Sequence, residues 1–244
     1  MRRLWALAPL KNLARAKTRL AETLADSCRS ALVMAMARDV MAALAQSRSI
    51  ERLVLVSDMP DSPELIGVPG LTRHPGVGGG LNQDLTAAAL WASAQGATHA
   101  LFVHADLPLL TPAAVDRFVA GDDDCPDGLR IAPCKQGVGT NLLLTPLPLP
   151  LPLVYGAGSL ARFQSLAAAA GLDCALWRDP TLAMDIDEST DYATLQLLCE
   201  QGRLPDGATA ALLRRPMSRG LRTEMQPQLR YGSSAEEKLA LSSP

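Results

Sequence analysis

The chain has 244 residues, of which 48% are hydrophobic and 20% charged, and its net charge is −2. This length and composition predict one globular domain of ordinary size. The near-neutral charge argues against a dedicated nucleic-acid-binding protein, because such proteins present a strongly basic face. Since there are only three each of Phe, Trp and Tyr, Ala, Leu and Val must supply most of the core.

The cysteines and the apolar runs exclude several further classes of protein. The five cysteines are odd in number and lack CxxC spacing, so we predict neither a disulfide framework nor a zinc site. The first apolar run is interrupted by Pro9 and Lys11, which is unlike a signal peptide. The apolar stretch LLLTPLPLPLPLV contains four prolines, which prevent a membrane-spanning helix. We therefore predict a soluble, cytoplasmic protein that contacts no membrane.

Hydrophobic periodicity predicts strands that alternate with helices. In chain order the predicted elements are a strand at Leu4–Pro9, a helix at 27–46, a strand at Arg52–Ser57, a helix at Asp84–Gln95, a strand at His99–Ala105, a helix beginning at Thr111-Pro112, strands at Leu129–Pro133 and Asn141–Thr145, a helix at Ser159–Ala170, strands at Cys174–Trp177 and Leu182–Ile186, and a helix at Thr190–Gln201. This order predicts an α/β sandwich around a mostly parallel sheet, spanning residues 1–204. Residues 205–244 are polar and are predicted to form a tail that is partly disordered.

Two acidic segments follow apolar runs. Asp106 comes after the apolar residues of HALFVHADLPLL, and Asp185 and Asp187 lie in LAMDIDEST. In a parallel sheet, ligands bind outside the carboxyl ends of the strands. If 185–187 is extended, Asp185 and Asp187 share one face, because strand side chains repeat with a period of two. Carboxylates placed in this way suit Mg²⁺ together with phosphate oxygens, although Asp106 could instead cap the turn before Pro108.

The segment APLKNLARAKTRL is basic and follows the first predicted strand. It carries Lys11, Lys17 and Arg19 and no acidic residue, and lysine acts on phosphate oxygens as a point charge. The segment therefore suits a triphosphate. A solvated basic turn is an equally good interpretation of its composition.

Glycine-rich segments provide a second type of candidate. The loop in GVGGGLNQDLT frees backbone amides, yet it lacks the Gly-Lys-Ser/Thr of a Walker loop and the Rossmann fingerprint. Its Asn82 could read a base edge, because an amide both donates and accepts. The later segments GVGTN and YGAGS each pair glycine amides with a hydroxyl. Ser159 also opens a predicted helix, where anions bind well, but simple capping explains it equally. The three histidines lack the spacing of metal ligands.

Taken together, these segments resemble a known family. In order, APLKNLARAKTRL, GGGLNQDL, HADLPLLTP, GTNLLL, YGAGS and MDID are similar to the guanylyltransferases that make the side-chain precursor of the deazaflavin coenzyme F-420, called CofC in archaea and FbiD in actinobacteria. The resemblance covers roughly residues 4–200. It implies a Rossmann-like, three-layer α/β/α sandwich of the GT-A-like nucleotidyltransferase type. It also implies an enzyme that joins GTP to 2-phospho-L-lactate, phosphoenolpyruvate or 3-phospho-D-glycerate and releases pyrophosphate, and some members form homodimers.

The resemblance also implies roles for individual residues. Lys17 and Asp106 are expected to be catalytic. The expected GTP-binding residues are Pro9, Lys11, Lys17, Gly79, Gly80 and Asn82. The expected acceptor-binding residues are Thr140, Gly156 and Ser159, and the expected Mg²⁺ ligands are Asp106, Asp185 and Asp187. His104 replaces a frequent proline of the family, and Glu188-Ser189 replaces its usual Thr-Pro.

Three alternatives share parts of this pattern. A molybdenum-cofactor cytidylyltransferase has a similar acidic ending, but it normally begins with a Gly-rich loop where this chain has Pro9-Leu10-Lys11. A GT-A glycosyltransferase usually carries Asp-x-Asp at the first acidic site, where Asp106 is followed by Leu107-Pro108. A non-catalytic nucleotide-binding module would bind GTP without releasing pyrophosphate.

Overall fold

A computed structural model describes residues 2–10, 17–59, 68, 70–121 and 128–215. Its strands are β1 (Leu4–Pro9), β2 (Arg52–Val56), β3 (Leu71–His74), β4 (His99–Val103), β5 (Leu129–Pro133), β6 (Thr140–Pro146) and β7 (Cys174–Leu176). Its α-helices are α1 (Asp26–Gln46), α2 (Leu81–Ala94), α3 (Pro112–Ala120), α4 (Ser159–Ala169), α5 (Pro180–Ala183), α6 (Ser189–Glu200) and α7 (Ala208–Arg214).

The described strands form one mixed sheet in the order β3-β2-β1-β4-β6-β5-β7. Neighbouring strands pair in parallel except at β6, which runs antiparallel to both β4 and β5. The carboxyl ends of β1, β2 and β4 therefore meet at one edge of the sheet. Because β6 is reversed, it begins at that same edge, and the backbone N–H of His104 donates to the Asn141 carbonyl there.

Alternate side chains of the central strands build two apolar layers. Leu4, Ala6 and Ala8 of β1 pack with α1 and α3, whereas Trp5 and Leu7 pack with α2 and α4. Successive strand side chains point to opposite faces, so a strand buried on both sides must be apolar throughout. The result confirms the predicted three-layer α/β/α sandwich.

Helices α6 and α7 extend one side of the sandwich. A third buried cluster joins Leu195 of α6 and Ala210 of α7 to Leu32 and Met36 of α1. The Asp39 carboxylate of α1 accepts hydrogen bonds from the Ala208 and Thr209 amides at 2.6 and 2.8 Å. The expectation of a polar tail from residue 205 is therefore wrong for α7, and residues 216–244 lie outside the described residues.

Two further differences from the predicted elements bear on the site. The strand expected at Leu182–Ile186 is absent: α5 ends at Ala183 and an irregular loop follows it. Asp179 caps α5 by accepting from the Thr181 amide, with Pro180 next to it, and a cap followed by proline favours a helix. Helix α2 begins at Leu81 rather than Asp84. Of the described helices, none is both long and apolar enough to cross a membrane.

Candidate functional site

Lys17 joins the two acidic segments at the carboxyl edge of the sheet. Its ammonium group bonds the Asp106 carboxylate, which follows β4, and donates to Asp187 Oδ1 at 2.6 Å. The Lys17 side chain is only 11% exposed. Its backbone has a φ of 54°, and it is the one non-glycine residue with positive φ in the described part of the chain. A lysine in this conformation costs about 1–2 kcal/mol, and such strain clusters at functional sites.

Charge interactions explain the protonation states of this pair. Burial alone would lower the pKa of Lys17, but attraction and hydrogen bonds from Asp106 and Asp187 outweigh it and raise the pKa. Burial alone would raise the pKa of Asp106, but Lys17 and then His104 outweigh it and lower the pKa. Lys17 is therefore a cation and Asp106 an anion at neutral pH.

Asp185 completes what we call the charged cluster, together with Lys17, Asp106 and Asp187. Its pKa is raised, first by burial and next by repulsion from Asp106 and Asp187. Asp106 Oδ1 and Asp185 Oδ1 are buried and have no hydrogen-bond partner within the described structure. Unsatisfied carboxylate oxygens of this kind are costly unless a cation or donor reaches them.

These acids suit a cation that arrives with a substrate. Within the described ranges, no group of three or more His, Cys, Asp or Glu side chains could hold a metal ion by itself. Mg²⁺ does not require such a group, because it is usually bound by one or two carboxylates plus substrate phosphates. The two unpartnered oxygens of Asp106 and Asp185 fit that requirement.

The acidic loop, residues 184–188, is fixed by the start of α6. Asp191 Oδ2 accepts from the backbone amides of Asp187 and Glu188 at 3.0 and 2.9 Å, and Glu188 and Asp191 form a capping box. Asp191 therefore caps the start of α6. Lys135, in the hairpin between β5 and β6, bonds the Asp191 carboxylate. The contact between Lys135 and Asp191 was not predicted from the sequence, because the two residues are far apart in the chain.

Asn141 ties the other end of the acidic loop to the sheet. It is buried on β6, and its Nδ2 donates to the Leu182 carbonyl at 3.0 Å. A hydrogen bond from Asn141 also opposes the rise in the pKa of Asp185. A polar residue at a buried strand position next to Thr140 was the available signal for this role.

The glycine loop, residues 76–80, is held by Asp84. The buried Asp84 carboxylate accepts from the amides of Val77 and Gly78 at 2.8 and 3.1 Å. Gly80 caps α2 with φ 92° and ψ 177°, a combination that essentially only glycine adopts. Gly79 is exposed. The sequence pattern predicts Asp84 only as the first residue of a helix and does not predict its contact with the glycine loop.

Asn82 makes a different contact from the one expected of a base reader. Its Nδ2 donates to the Tyr155 carbonyl at 3.2 Å, and its Oδ1 accepts from the Tyr155 amide at 2.8 Å. One N–H and one lone pair of the amide are already used by the protein. Contact with a nucleotide base by Asn82 stays a prediction.

Residues 155–159 lead into α4, and we call them the acceptor segment after the role predicted for Gly156 and Ser159. The Ser159 hydroxyl donates to Thr140 Oγ1 at 3.2 Å, and both residues are buried. The chain reaches Ser159 through Gly156, whose φ is 121°, so a side chain there would be strained. The structure thus brings Thr140, Gly156 and Ser159 together in one region.

His104 lies between the charged cluster and the acceptor segment. Its ring is 5.5 Å from that of Tyr155, and it interacts electrostatically with Asp106. The two groups of residues are therefore neighbours along the sheet edge. Pro9 ends β1 at this edge, whereas Lys11 lies outside the described residues.

The chain is similar in sequence to a described protein family and to several relatives. The family described as guanylyl transferase, CofC-like, matches residues 4–204. The chain is 34% identical over 207 residues to a phosphoenolpyruvate guanylyltransferase of Sphaerobacter thermophilus, covering 84% of this chain and 96% of the relative. It is 36% identical over 185 residues to a protein of the same name from Chloroflexus aggregans, covering 74% and 91%.

Solved structures share the fold. A protein of Desulfovibrio desulfuricans described as a nucleotide-diphospho-sugar transferase aligns with a TM-score of 0.72 at 19% identity, over 88% of this chain and 95% of the other. A cytidylyltransferase of Leptospira borgpetersenii aligns with a TM-score of 0.54 at 14% identity, over 95% and 100%. The sandwich is thus that of nucleotidyltransferases.

Proposed function

The chain belongs to the CofC-like guanylyl transferase family and is a guanylyltransferase, and we propose that it transfers GMP from GTP to phosphoenolpyruvate with release of pyrophosphate. The reaction supplies the side-chain precursor of coenzyme F-420. Relatives named as phosphoenolpyruvate guanylyltransferases support this acceptor over 2-phospho-L-lactate and 3-phospho-D-glycerate.

The observation that carries the proposal is the charged cluster. A strained lysine with a mostly buried side chain, Lys17, bonds the carboxylates of Asp106 and Asp187, which are 81 residues apart in sequence. A purely structural ion pair does not need a third acid beside it, yet Asp185 adds repulsion there. Such an arrangement suits a site that receives more cationic charge and exchanges its partners when ligands bind.

The chemistry is in-line nucleotidyl transfer without a covalent enzyme intermediate. An oxygen of the acceptor phosphate attacks the α-phosphorus of GTP, the bond from that phosphorus to the bridging oxygen breaks, and pyrophosphate leaves. The attacking oxygen is already anionic, so no general base is required. The protein must overcome repulsion between two anions and align them.

Different residues bind the leaving group, the acceptor and the nucleotide. Lys17 is the cation that steadies the leaving pyrophosphate, together with Lys11. The hydroxyl groups of Thr140 and Ser159 donate hydrogen bonds to the acceptor, and the glycine loop binds the nucleotide. Asp106, Asp185 and Asp187 would hold Mg²⁺, which when bound neutralises phosphate charge.

The test is a matrix of ATP, GTP, CTP and UTP against the three phospho-acids with Mg²⁺, in which released pyrophosphate is measured and products are identified by mass. We expect GTP with phosphoenolpyruvate to give the highest kcat/KM. A preference for 3-phospho-D-glycerate or 2-phospho-L-lactate would overturn the acceptor assignment alone.

Two other outcomes would contradict the proposal more deeply. Turnover with CTP but not GTP would indicate a cytidylyltransferase, the activity of the fold neighbour. GTP binding without pyrophosphate release in any combination would indicate a binding module.

A further inference from the structure

We propose that Asn82 is a positioning residue that couples the nucleotide subsite to the acceptor subsite, an inference that rests on the proposed function. Its amide holds the backbone of Tyr155 through two reciprocal hydrogen bonds, 2.8 and 3.2 Å long, across 73 residues of sequence. A side-chain amide that satisfies both the N–H and the C=O of one residue fixes that peptide in both position and orientation.

The Tyr155 residue that Asn82 holds is an apolar anchor. Its ring is buried against Phe163, His104 and Phe102, with centroids 5.3, 5.5 and 6.4 Å away. Burial raises the pKa of its phenol, and the hydroxyl has no hydrogen-bond partner in the described part of the chain. The Tyr155 side chain thus packs in the core, and its backbone, which Asn82 holds, sets the position of the residues that follow.

The acceptor segment follows directly from this anchor. Gly156 and Gly158 both have positive φ and turn the chain sharply. The Ser159 amide then donates to the Gly156 carbonyl at 3.1 Å, and its hydroxyl reaches Thr140. A shift of Tyr155 would therefore move the peptide that precedes Gly156 and the start of α4.

The first turn of α2 serves both subsites at once. Asn82 points to the acceptor segment, whereas Asp84, two residues later, holds the Val77 and Gly78 amides of the glycine loop. Residues two apart lie on different sides of a helix, so this turn lies between the two loops. A nucleotide that orders the glycine loop therefore also orders the acceptor segment, and by linkage the acceptor must tighten nucleotide binding by the same factor.

The experiment compares the wild-type enzyme with Asn82→Ala and Asn82→Asp, and Gln83→Ala is the matched control because Gln83 is an exposed amide in the same turn. The affinity of α,β-methylene GTP, which cannot release pyrophosphate, is measured with and without saturating phosphoenolpyruvate. In the wild type and in Gln83→Ala, we expect phosphoenolpyruvate to tighten binding on the order of tenfold.

In Asn82→Ala the coupling factor should fall to about one, and the KM for phosphoenolpyruvate should rise on the order of tenfold. The affinity for the analogue without acceptor should stay within about threefold of wild type, because the Asp84 contacts remain. Asn82→Asp should show the same loss, since it places a carboxylate oxygen against the Tyr155 carbonyl while preserving side-chain size. This near-isosteric variant tests the inference even if Asn82→Ala folds poorly.

Two results would overturn the inference while leaving the guanylyltransferase activity in place. One is unchanged coupling in both Asn82 variants. The other is a loss of analogue affinity, or of discrimination between GTP and ATP, with the KM for phosphoenolpyruvate unchanged, which would make Asn82 a base reader. Failure of the proposed function is distinguishable, because then the wild type itself would not turn over GTP with any of the three phospho-acids.

Discussion

In the charged cluster, Lys17 bonds Asp106 and Asp187 through ionised side chains alone, whereas on the other side of the site Asn82 and Asp84 bond backbone groups of two loops. Side-chain ion pairs can exchange partners when another ion arrives. Backbone-directed hydrogen bonds set the course of the chain itself, and they must be kept while ligands bind.

This difference assigns different tasks to the two regions. The charged cluster is loaded with like charge around one lysine, and its acids have unpartnered oxygens. The glycine loop and the acceptor segment are instead held through their backbone by Asp84 and Asn82. We therefore expect the first region to respond to ligands and the second to define where they bind.

The largest effect is expected when a charge of the cluster is removed while the shape of the side chain is kept. Asp106→Asn should reduce kcat on the order of 10²–10³-fold, because it removes charge where the phosphates must be neutralised. Steady-state pyrophosphate release measures this, with circular dichroism as the check on folding. Asp206→Asn, an 89% exposed acid, is the matched control. Near-normal activity of Asp106→Asn would contradict the assigned role.

A second substitution tests whether the cluster exchanges partners. Lys17→Ala should tighten Mn²⁺ binding to the nucleotide-free protein on the order of tenfold, because an ion pair no longer has to break to admit the cation. Turnover should fall at the same time. Titration followed by electron paramagnetic resonance measures the free ion, and Arg38→Ala on the exposed face of α1 serves as control. Weaker Mn²⁺ binding in Lys17→Ala would mean that the lysine does not compete for these acids.

The backbone-defined region should respond in stability. Gly80→Ala should destabilise the fold by about 1–3 kcal/mol, because the φ of 92° and ψ of 177° are available essentially only to glycine. Gly76→Ala, in the same loop, is the matched control: its φ is not in the positive region, and a Cβ there meets the carboxylate of the exposed Asp58 side chain, which can rotate away. Urea unfolding of both variants measures the difference, and equal stabilities would show that the cap does not require glycine.

The smallest expected effect is a change in the thermal stability of the charged cluster. Asp185→Asn should raise Tm by roughly 1–4 °C near pH 7. The raised pKa of Asp185 means that its ionised form opposes folding: the wild type is free of this cost below the ordinary value of 3.8 and acquires it as the pH rises through the raised pKa. The gain should therefore vanish when the scan is repeated in acid. A lower Tm at neutral pH would contradict the assignment.

Local sequence patterns predicted the parts of the site that follow from burial. The apolar run before Asp106 placed it at a strand end, since a carboxylate cannot continue a buried strand. The alternation of strands and helices predicted the sandwich. The resemblance to a family, rather than spacing, connected Lys17 with Asp106, because an ion pair across 89 residues leaves no local pattern.

Other features could not be predicted for physical reasons. The apolar run at 182–186 suggested a strand, but the Asp179 cap and Pro180 favour a helical turn that ends at Ala183. The edge strand β3 was missed because Leu71–His74 is short and half polar. The contact of Asn82 with Tyr155 could not be predicted either, since its partner groups belong to the backbone of a residue that is distant in sequence.

The reversed direction of β6 has a consequence for how such a site can diversify. Because β5 ends and β6 begins at the carboxyl edge, the hairpin between them enters the site without a crossover helix. Its Val138 carbonyl accepts from the Leu160 amide of α4, and its Lys135 braces the acidic loop. Residues of this hairpin can therefore change next to α4 and the acidic loop while the strand order of the sheet stays the same.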